Sequence, residues 1–257
     1  MKILVAIKQV PSRDATLKPS SSGSWIDESG LAWEMNEPDA YALEEALQLK
    51  EKLGGGEVVA LCAGPASAGQ TIREALAKGA DRAIHIEEEN LGAFDLLGIA
   101  RLLARAAGAE NPDLLLTGLQ SDDLGYGQTG VVIAELLGLP HATIIMQVEK
   151  TEAGIRVKRE LEDGWFQHID LPLPAVLTIQ SGINKLRYAT LMGIKRAKSK
   201  EVRRLTAAGL GVSAAPSVAL DRVYLPERSK QTVLIPGTPK EQAAKLAEIL
   251  QREVRVL

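Results

Sequence analysis

The run Gly118-Leu-Gln-Ser-Asp-Asp-Leu-Gly-Tyr-Gly-Gln-Thr-Gly130 gathers the residue types that hold a phosphate-bearing ligand. Its small residues permit close backbone approach, and Gln120, Ser121, Gln128 and Thr129 bring side-chain donors. A helical apolar pattern begins directly behind it, near Val131. Free N–H groups and the positive end of a helix dipole suit an anion there, and a loop this long is uncommon unless functional. Gly125, Gly127 and Gly130 satisfy G-x-G-x-x-G, but the first of them comes well after Thr117 instead of at the strand end, and the element follows a fourth strand instead of a first. No Lys followed by Ser or Thr closes the loop as a hydrolysing P-loop requires. The pattern predicts nucleotide binding without machinery for cleavage.

Other candidates carry less. His85, His141 and His168 are scattered without metal-ligand spacing. Asp122-Asp123 is one adjacent acidic pair without further oxygen ligands, which reads as a solvated turn before it reads as a cation site. Cys62 ends the apolar run from Val58, the setting of a buried structural thiol. Nothing resembles a nucleophile with its base, and no catalytic set is expected.

Short apolar runs alternating with helical patterns must position that loop, the rhythm of βα units around a parallel sheet. Strands are expected over 1–7, 58–62, 82–86 and 114–117. Helices are expected over 38–53, 68–77, 94–107 and 131–137, the first with Pro38 in its first turn and Gly54 to Gly56 stopping it. Four segments then lie at the carboxyl ends of strands, where such sheets bind ligands: Ala6 to Gln9, Met35 to Asp39, Ala63 to Ala66 and Gly118 to Gly130. After Pro140 the runs at 143–149, 154–161, 165–171 and 175–179 follow one another without helices, predicting an antiparallel extension on the sheet edge. From Glu201 glycines and prolines interrupt every run until a final helix near 240–252. Such a tail buries little alone, so it wraps a partner chain or folds back on its own domain.

The 257 residues allow a sizeable core. Aromatics are 4% of the chain, so that core must come from aliphatic residues, as in helices covering a parallel sheet. A net charge of −3 argues against wholesale nucleic-acid binding. The single cysteine suits a reducing compartment. No run approaches the ~20 apolar residues of a membrane span, and no leader pattern precedes Lys8. A soluble, cytoplasmic protein without membrane insertion is expected.

One segment is distinctive: Asn184-Lys-Leu-Arg-Tyr-Ala-Thr-Leu-Met-Gly-Ile-Lys-Arg-Ala-Lys-Ser-Lys200. With Met35-Asn36-Glu37-Pro38, Ala63-Gly64-Pro65-Ala66, Ala80-Asp81-Arg82 and Gln128-Thr129-Gly130, it resembles the β subunit of the electron transfer flavoproteins, over nearly the whole chain. The resemblance implies a Rossmann-like α/β fold of the adenine nucleotide alpha hydrolase type, with an antiparallel edge extension and a C-terminal arm. It implies a nucleotide-binding domain over 1–200, including a recognition loop at 184–200, and an arm over 201–257 contacting the partner subunit. By the same resemblance the chain is a non-enzymatic carrier subunit of an αβ heterodimer, with a structural AMP of its own and an FAD shared with the α subunit. Its donors are acyl-CoA dehydrogenases of fatty acid β-oxidation and similar flavoenzymes, and its acceptor is a membrane quinone oxidoreductase.

Carried over by position, the AMP contacts fall at Ala6, Asn36, Glu37, Pro38, Asp39 and Ala63, and along Leu119, Gln120, Ser121, Asp122, Asp123, Leu124, Gly125, Tyr126, Gly127, Gln128, Thr129 and Gly130. Leu191 becomes an exposed anchor for the dehydrogenase, with Lys195, Arg196, Lys198 and Lys200 steering the encounter. Ser12-Arg13 falls near the flavin. Two other readings remain: a bifurcating β subunit, with a second FAD in the AMP site and NADH as donor, and, more distantly, an NAD-dependent dehydrogenase.

Overall fold

Aliphatic residues fill the first strand without polar alternation, the mark of a strand covered on both faces. In the structure, a computed structural model that describes residues 1–226 and 232–256, Lys2–Ala6 (β1) is buried from Ile3 onward. A short antiparallel hairpin of Gln9–Pro11 (β2) and Trp33–Met35 (β3) follows. The βα units are Glu37–Lys52 (α1), Glu57–Gly64 (β4), Gly69–Lys78 (α2), Arg82–Glu87 (β5), Leu96–Glu110 (α3), Leu114–Gly118 (β6) and Thr129–Leu137 (α4). Local chemistry explains the helix ends. Acidic Glu37 and Asp39 open α1 and basic Lys50 and Lys52 close it, complementing its dipole. The Asp95 carboxylate caps α3 by accepting from the Gly98 N–H at 2.8 Å.

The expected antiparallel extension forms from His141–Lys150 (β7), Ile155–Glu160 (β8) and Phe166–Leu171 (β9). Ala175–Ile179 (β10) does not belong to it, contrary to the sequence reading. It enters the sheet between β6 and β7, parallel to both. Its five residues are all buried, so both faces are covered, as an inner parallel strand requires and an edge strand does not. The full order is β11-β5-β4-β1-β6-β10-β7-β8-β9, where β11 is Val202–Leu205.

Helices cover both faces of this sheet. On one, Ile3, Val5, Val58 and Ala60 pack with Leu43 and Leu47 of α1 and Ile72 and Leu76 of α2. On the other, Leu4, Val59 and Leu115 pack with Leu102 and Leu103 of α3 and Ile133 of α4. Leu191–Ala197 (α5) follows β10 and leads into β11.

The expected domain break at Glu201 is displaced. Strand β11 pairs in parallel with β5, from Val202 against Ala83 to Leu205 against Ile86, and Ala207 is buried in the core. The first compact unit therefore comprises 1–17 and 28–221. The second comprises 18–27 and 222–257, of which 227–231 and 257, part of the expected arm, lie outside the described residues. Within it, Pro19 bridges Ile26, and the Val223 N–H donates to the Gly23 carbonyl at 2.7 Å. Its helix Pro239–Ile249 (α6) starts on a capping box, Thr238 with Glu241, and buries none of its own residues.

Candidate functional site

Strand order reverses between β1 and β6: β4 and β5 continue to one side of β1, and β6 and β10 to the other. A doubly wound sheet opens a crevice at that switch point, outside the carboxyl ends of its strands. Ala6 ends β1, Ala63 lies at the end of β4, Gly118 ends β6, and Asn36 to Asp39 begin α1. The residues from Leu119 to Gln128 link Gly118 to α4, whose first residues are Thr129 and Gly130. The fold thus brings together every expected nucleotide-contact segment.

The start of α4 is receptive to an anion. Gln128 supplies no side-chain cap, while the first ladder bond runs from the Val132 N–H to the Gln128 carbonyl at 3.0 Å. The N–H groups of Thr129, Gly130 and Val131 precede it and have no acceptor within the helix. With the exposed Gln128 amide and the Thr129 hydroxyl beside them, this donor set fits a phosphoryl group.

Gly130 also has a packing task that the sequence reading did not give it. A Cβ there would lie 2.6 Å from Thr117 Oγ1 and 2.6 Å from Thr178 Cγ2. The missing side chain lets α4 lie against β6 and β10. Gly118 serves similarly for α1, because a Cβ there would collide with Asp39 Oδ1 and meet the Asp39 nitrogen at 2.8 Å.

Asp39 is the buried centre of this end of the sheet. Its carboxylate accepts from the Gly118 N–H at 2.9 Å and from the Lys8 N–H at 2.8 Å, joining α1 to the ends of β6 and β1. Burial pushes its carboxyl up to about 7, against the opposing pull of Asn36 and of the Lys8 and Gly118 N–H groups. Burial likewise pushes the nearby Cys62 thiol up to about 12, with the Asp39 charge adding to it, so Cys62 is inert.

The 119–128 loop is tied to its neighbours by polar bonds. Asn36 Nδ2 donates to the Gln120 carbonyl at 3.0 Å, and the Asp122 N–H donates back to Asn36 Oδ1 at 2.9 Å. The Asp122 carboxylate accepts from the Glu37 N–H at 3.1 Å. Asp123 takes the Lys8 ammonium at 2.6 Å and the Leu124 N–H at 2.7 Å. Burial opposes ionisation of Asp123, yet Lys8 and these donors hold its carboxyl below the ordinary range. Arg13 bonds Glu37 and lies 3.8 Å from Asp122. Lys8 and Arg13 were given no such role by the sequence reading, although Lys8 directly follows the apolar run of β1.

The 184–200 segment forms a second exposed site. Arg187 grips α1, its Nε 2.7 Å from Glu44 and its Nη1 2.7 Å from Glu51. Asn184 donates to the Tyr41 carbonyl at 3.2 Å. Thr190 caps α5 by accepting from the Gly193 N–H at 3.0 Å. Leu191 is 88% exposed at the head of this helix, beside exposed Tyr188, Met192 and Ile194. Lys195, Arg196 and Lys198 are exposed as well. Lys200 departs from them: its ammonium donates to the Leu76 carbonyl at 2.9 Å and to the Ala80 carbonyl, closing the C-terminal end of α2. Burial lowers its pKa.

The histidines do not converge. His85 is buried and its Nε2 donates to the Gly64 carbonyl at 3.0 Å, while His141 and His168 are exposed on other strands. Among the described residues no three His, Cys, Asp or Glu side chains cluster to hold a metal ion, and no helix is long and apolar enough to cross a membrane.

Fold and site together define a doubly wound α/β protein with an anion-receptive crevice at its topological switch point. An electron transfer flavoprotein domain matches residues 24–210. The chain is 38% identical to the electron transfer flavoprotein subunit beta of Methylophilus methylotrophus, over 97% of this chain and 98% of the relative. Against the subunit of the same name from Mus musculus it is 37% identical with the same coverage, and against that of Bradyrhizobium diazoefficiens 35% identical over the whole of both. The chain belongs to the electron transfer flavoprotein family, among its β subunits. The family's name joins electron transfer with flavin chemistry, and these relatives are named as subunits.

Proposed function

We propose that this chain is the non-catalytic β subunit of a heterodimeric carrier that takes electrons from acyl-CoA dehydrogenases and similar flavoenzymes and delivers them to a quinone oxidoreductase. The observation that carries the reading is the uncapped start of α4 at the switch point, at the same end of the sheet as Ala6, Asn36 to Asp39 and Ala63. Its free N–H groups hold the phosphate of a structural AMP, and the ends of β1 and β4 receive the rest of the nucleotide.

FAD, when bound between the subunits, supplies the one-electron acceptance and donation. The chain's own residues hold and orient: the Ser12–Arg13 loop lies toward the flavin side, and α6, which buries none of its residues within this chain, contacts the partner subunit. Leu191 anchors the dehydrogenase, and the exposed Lys195, Arg196 and Lys198 steer its approach. The expected compartment is the cytoplasm.

Counting nucleotides in the purified heterodimer tests this. One FAD and one AMP per heterodimer is the expected result. Two flavins and no AMP would replace it with the bifurcating reading, and a heterodimer without AMP or a second flavin in this crevice would refute the site assignment.

A further inference from the structure

Two carboxylates beside a phosphate site are electrostatically unfavourable unless something neutralises or redirects them. Both are redirected here. Asp122 accepts from the Glu37 N–H, the first of α1, and lies 3.8 Å from the Arg13 guanidinium, while Asp123 grips Lys8 at 2.6 Å. Lys8 comes from the segment just after β1, Arg13 from the residues after β2, where it also bonds Glu37, and the carboxylates from the loop after β6, so the Lys8–Asp123 pair joins the ends of the two strands that meet at the switch point. Asn36 adds a reciprocal amide bridge to Gln120 and Asp122 from the same side.

We infer that Asp122 and Asp123 are positioning residues that form a charge-controlled latch with Arg13 and Lys8, holding the 119–128 loop closed over the crevice and setting how fast its ligand leaves. The role in ligand release rests on the nucleotide reading above; the latch itself does not. The side chains of Lys8 and Arg13 are 38% and 56% exposed, against 18% for Asp123 and 28% for Asp122, so water and salt reach both ion pairs from the cation side. Such pairs weaken as ionic strength rises, because a Debye length shrinks from about 10 Å at 0.1 M salt to about 3 Å at 1 M. The loop therefore opens more often at high salt. Release of nucleotide accelerates with it, whereas the donors at the start of α4 are backbone groups that no mutation of Asp122 or Asp123 removes.

The test uses the assembled heterodimer, with Asp123→Asn, Asp122→Asn and the exchanged pair Lys8→Asp with Asp123→Lys. Amide hydrogen exchange of 119–128 is measured on nucleotide-stripped protein, and release of radiolabelled AMP is measured on loaded protein at low and high salt. Either single variant should raise loop exchange by about threefold to tenfold, the range of one charge-assisted bond at a partly exposed site. It should speed AMP release by a similar factor and flatten its salt dependence. The thermal midpoint should fall only modestly, more for Asp123→Asn, whose ionised carboxylate Lys8 holds, than for Asp122→Asn, and the exchanged pair should recover most of the loop protection.

Unchanged exchange in the stripped protein, with AMP release accelerated, would overturn the latch and make the carboxylates direct ligand contacts. A large drop in thermal midpoint with salt dependence intact would also overturn it, in favour of a purely structural role. If AMP does not bind, the exchange arm and the exchanged pair still decide the latch, while the nucleotide reading alone fails.

Discussion

Replacing Gly130 with alanine separates two explanations of why a glycine opens α4. The added methyl lies 2.6 Å from Thr117 Oγ1 and 2.6 Å from Thr178 Cγ2. Ordinary carbon contacts begin at about 3.5 Å, so each is short by roughly 0.9 Å. Neither threonine can retreat: they are 4% and 1% exposed, Thr117 Oγ1 donates to the Gly118 carbonyl, and Thr178 Oγ1 accepts from the Ile144 N–H. Overpacking of this kind costs about 1–3 kcal/mol. The exchange of Gly for Ala in a helix returns about 0.5–1 kcal/mol. A net loss of about 1 kcal/mol, in a range of about 0–2.5 kcal/mol and so roughly a fivefold fall in the folded-to-unfolded ratio at the centre, is expected from urea unfolding of nucleotide-free protein. Thr178→Ser keeps the hydroxyl and removes the offending methyl, so the double variant should recover about 0.5 kcal/mol or more in a mutant cycle. An unchanged urea midpoint accompanied by lost nucleotide binding would refute the packing argument and return Gly130 to the ligand.

Three further outcomes follow from the same geometry. Thr129→Glu puts a carboxylate in the first turn of α4, where it should stabilise the nucleotide-free chain by about 0.3–1 kcal/mol while repelling phosphate; calorimetric AMP binding that is unweakened would remove the phosphate from that turn. Asp39, with its folded pKa raised to about 7, should contribute stability that is complete below its unfolded value of about 3.9 and is lost as pH rises through 7. Asp123 and Glu110, whose pKa values are lowered, act oppositely and lose theirs as pH falls below the ordinary carboxylate range. From these groups, stability of nucleotide-free protein should peak near pH 4, decline towards pH 7 and level off above it, and Asp39→Asn should flatten the decline between about pH 4 and 7 in urea titrations at several pH values. Leu191→Ala removes an exposed anchor, so electron transfer from a dehydrogenase should slow about tenfold or more if the side chain is fully buried in the complex; FAD content and thermal midpoint should stay put, and the residual rate should fall with salt.

The βα half of the fold was legible because its signals are local. Asn36, Pro38 and the Gly54 to Gly56 run bracket α1, and the apolar runs of β1, β4, β5 and β6 fix which strand ends meet. Strand β10 was misplaced because sequence adjacency favours hairpins, while its own pattern, Ala-Val-Leu-Thr-Ile with no exposed position, already pointed to an inner strand. Strand β11 was hidden because Val-Arg-Arg-Leu looks like a charged tail; only its pairing to β5 makes an edge strand of it. Lys200 read as a free surface cation because nothing in the sequence brings it to the carbonyls of Leu76 and Ala80. The partners of Asp122 and Asp123 lie more than eighty residues earlier in the chain, beyond the reach of any motif.

The position of β10 sets an order of events during synthesis. The Leu119 N–H, at the root of the nucleotide loop, donates to the carbonyl of Ile179, the last residue of β10, at 2.9 Å, and Thr178 floors the start of α4. A ribosome that has delivered the whole glycine-rich loop has still not delivered the wall it leans on. The loop, the antiparallel hairpins and then β10 must all emerge before the crevice has both sides, and a strand inserted between two others is slow to pair because its contacts are distant in sequence. On the nucleotide reading proposed above, capture is thus a late step in the life of the nascent chain, and free nucleotide can rescue only those molecules that have already completed the middle of their sheet.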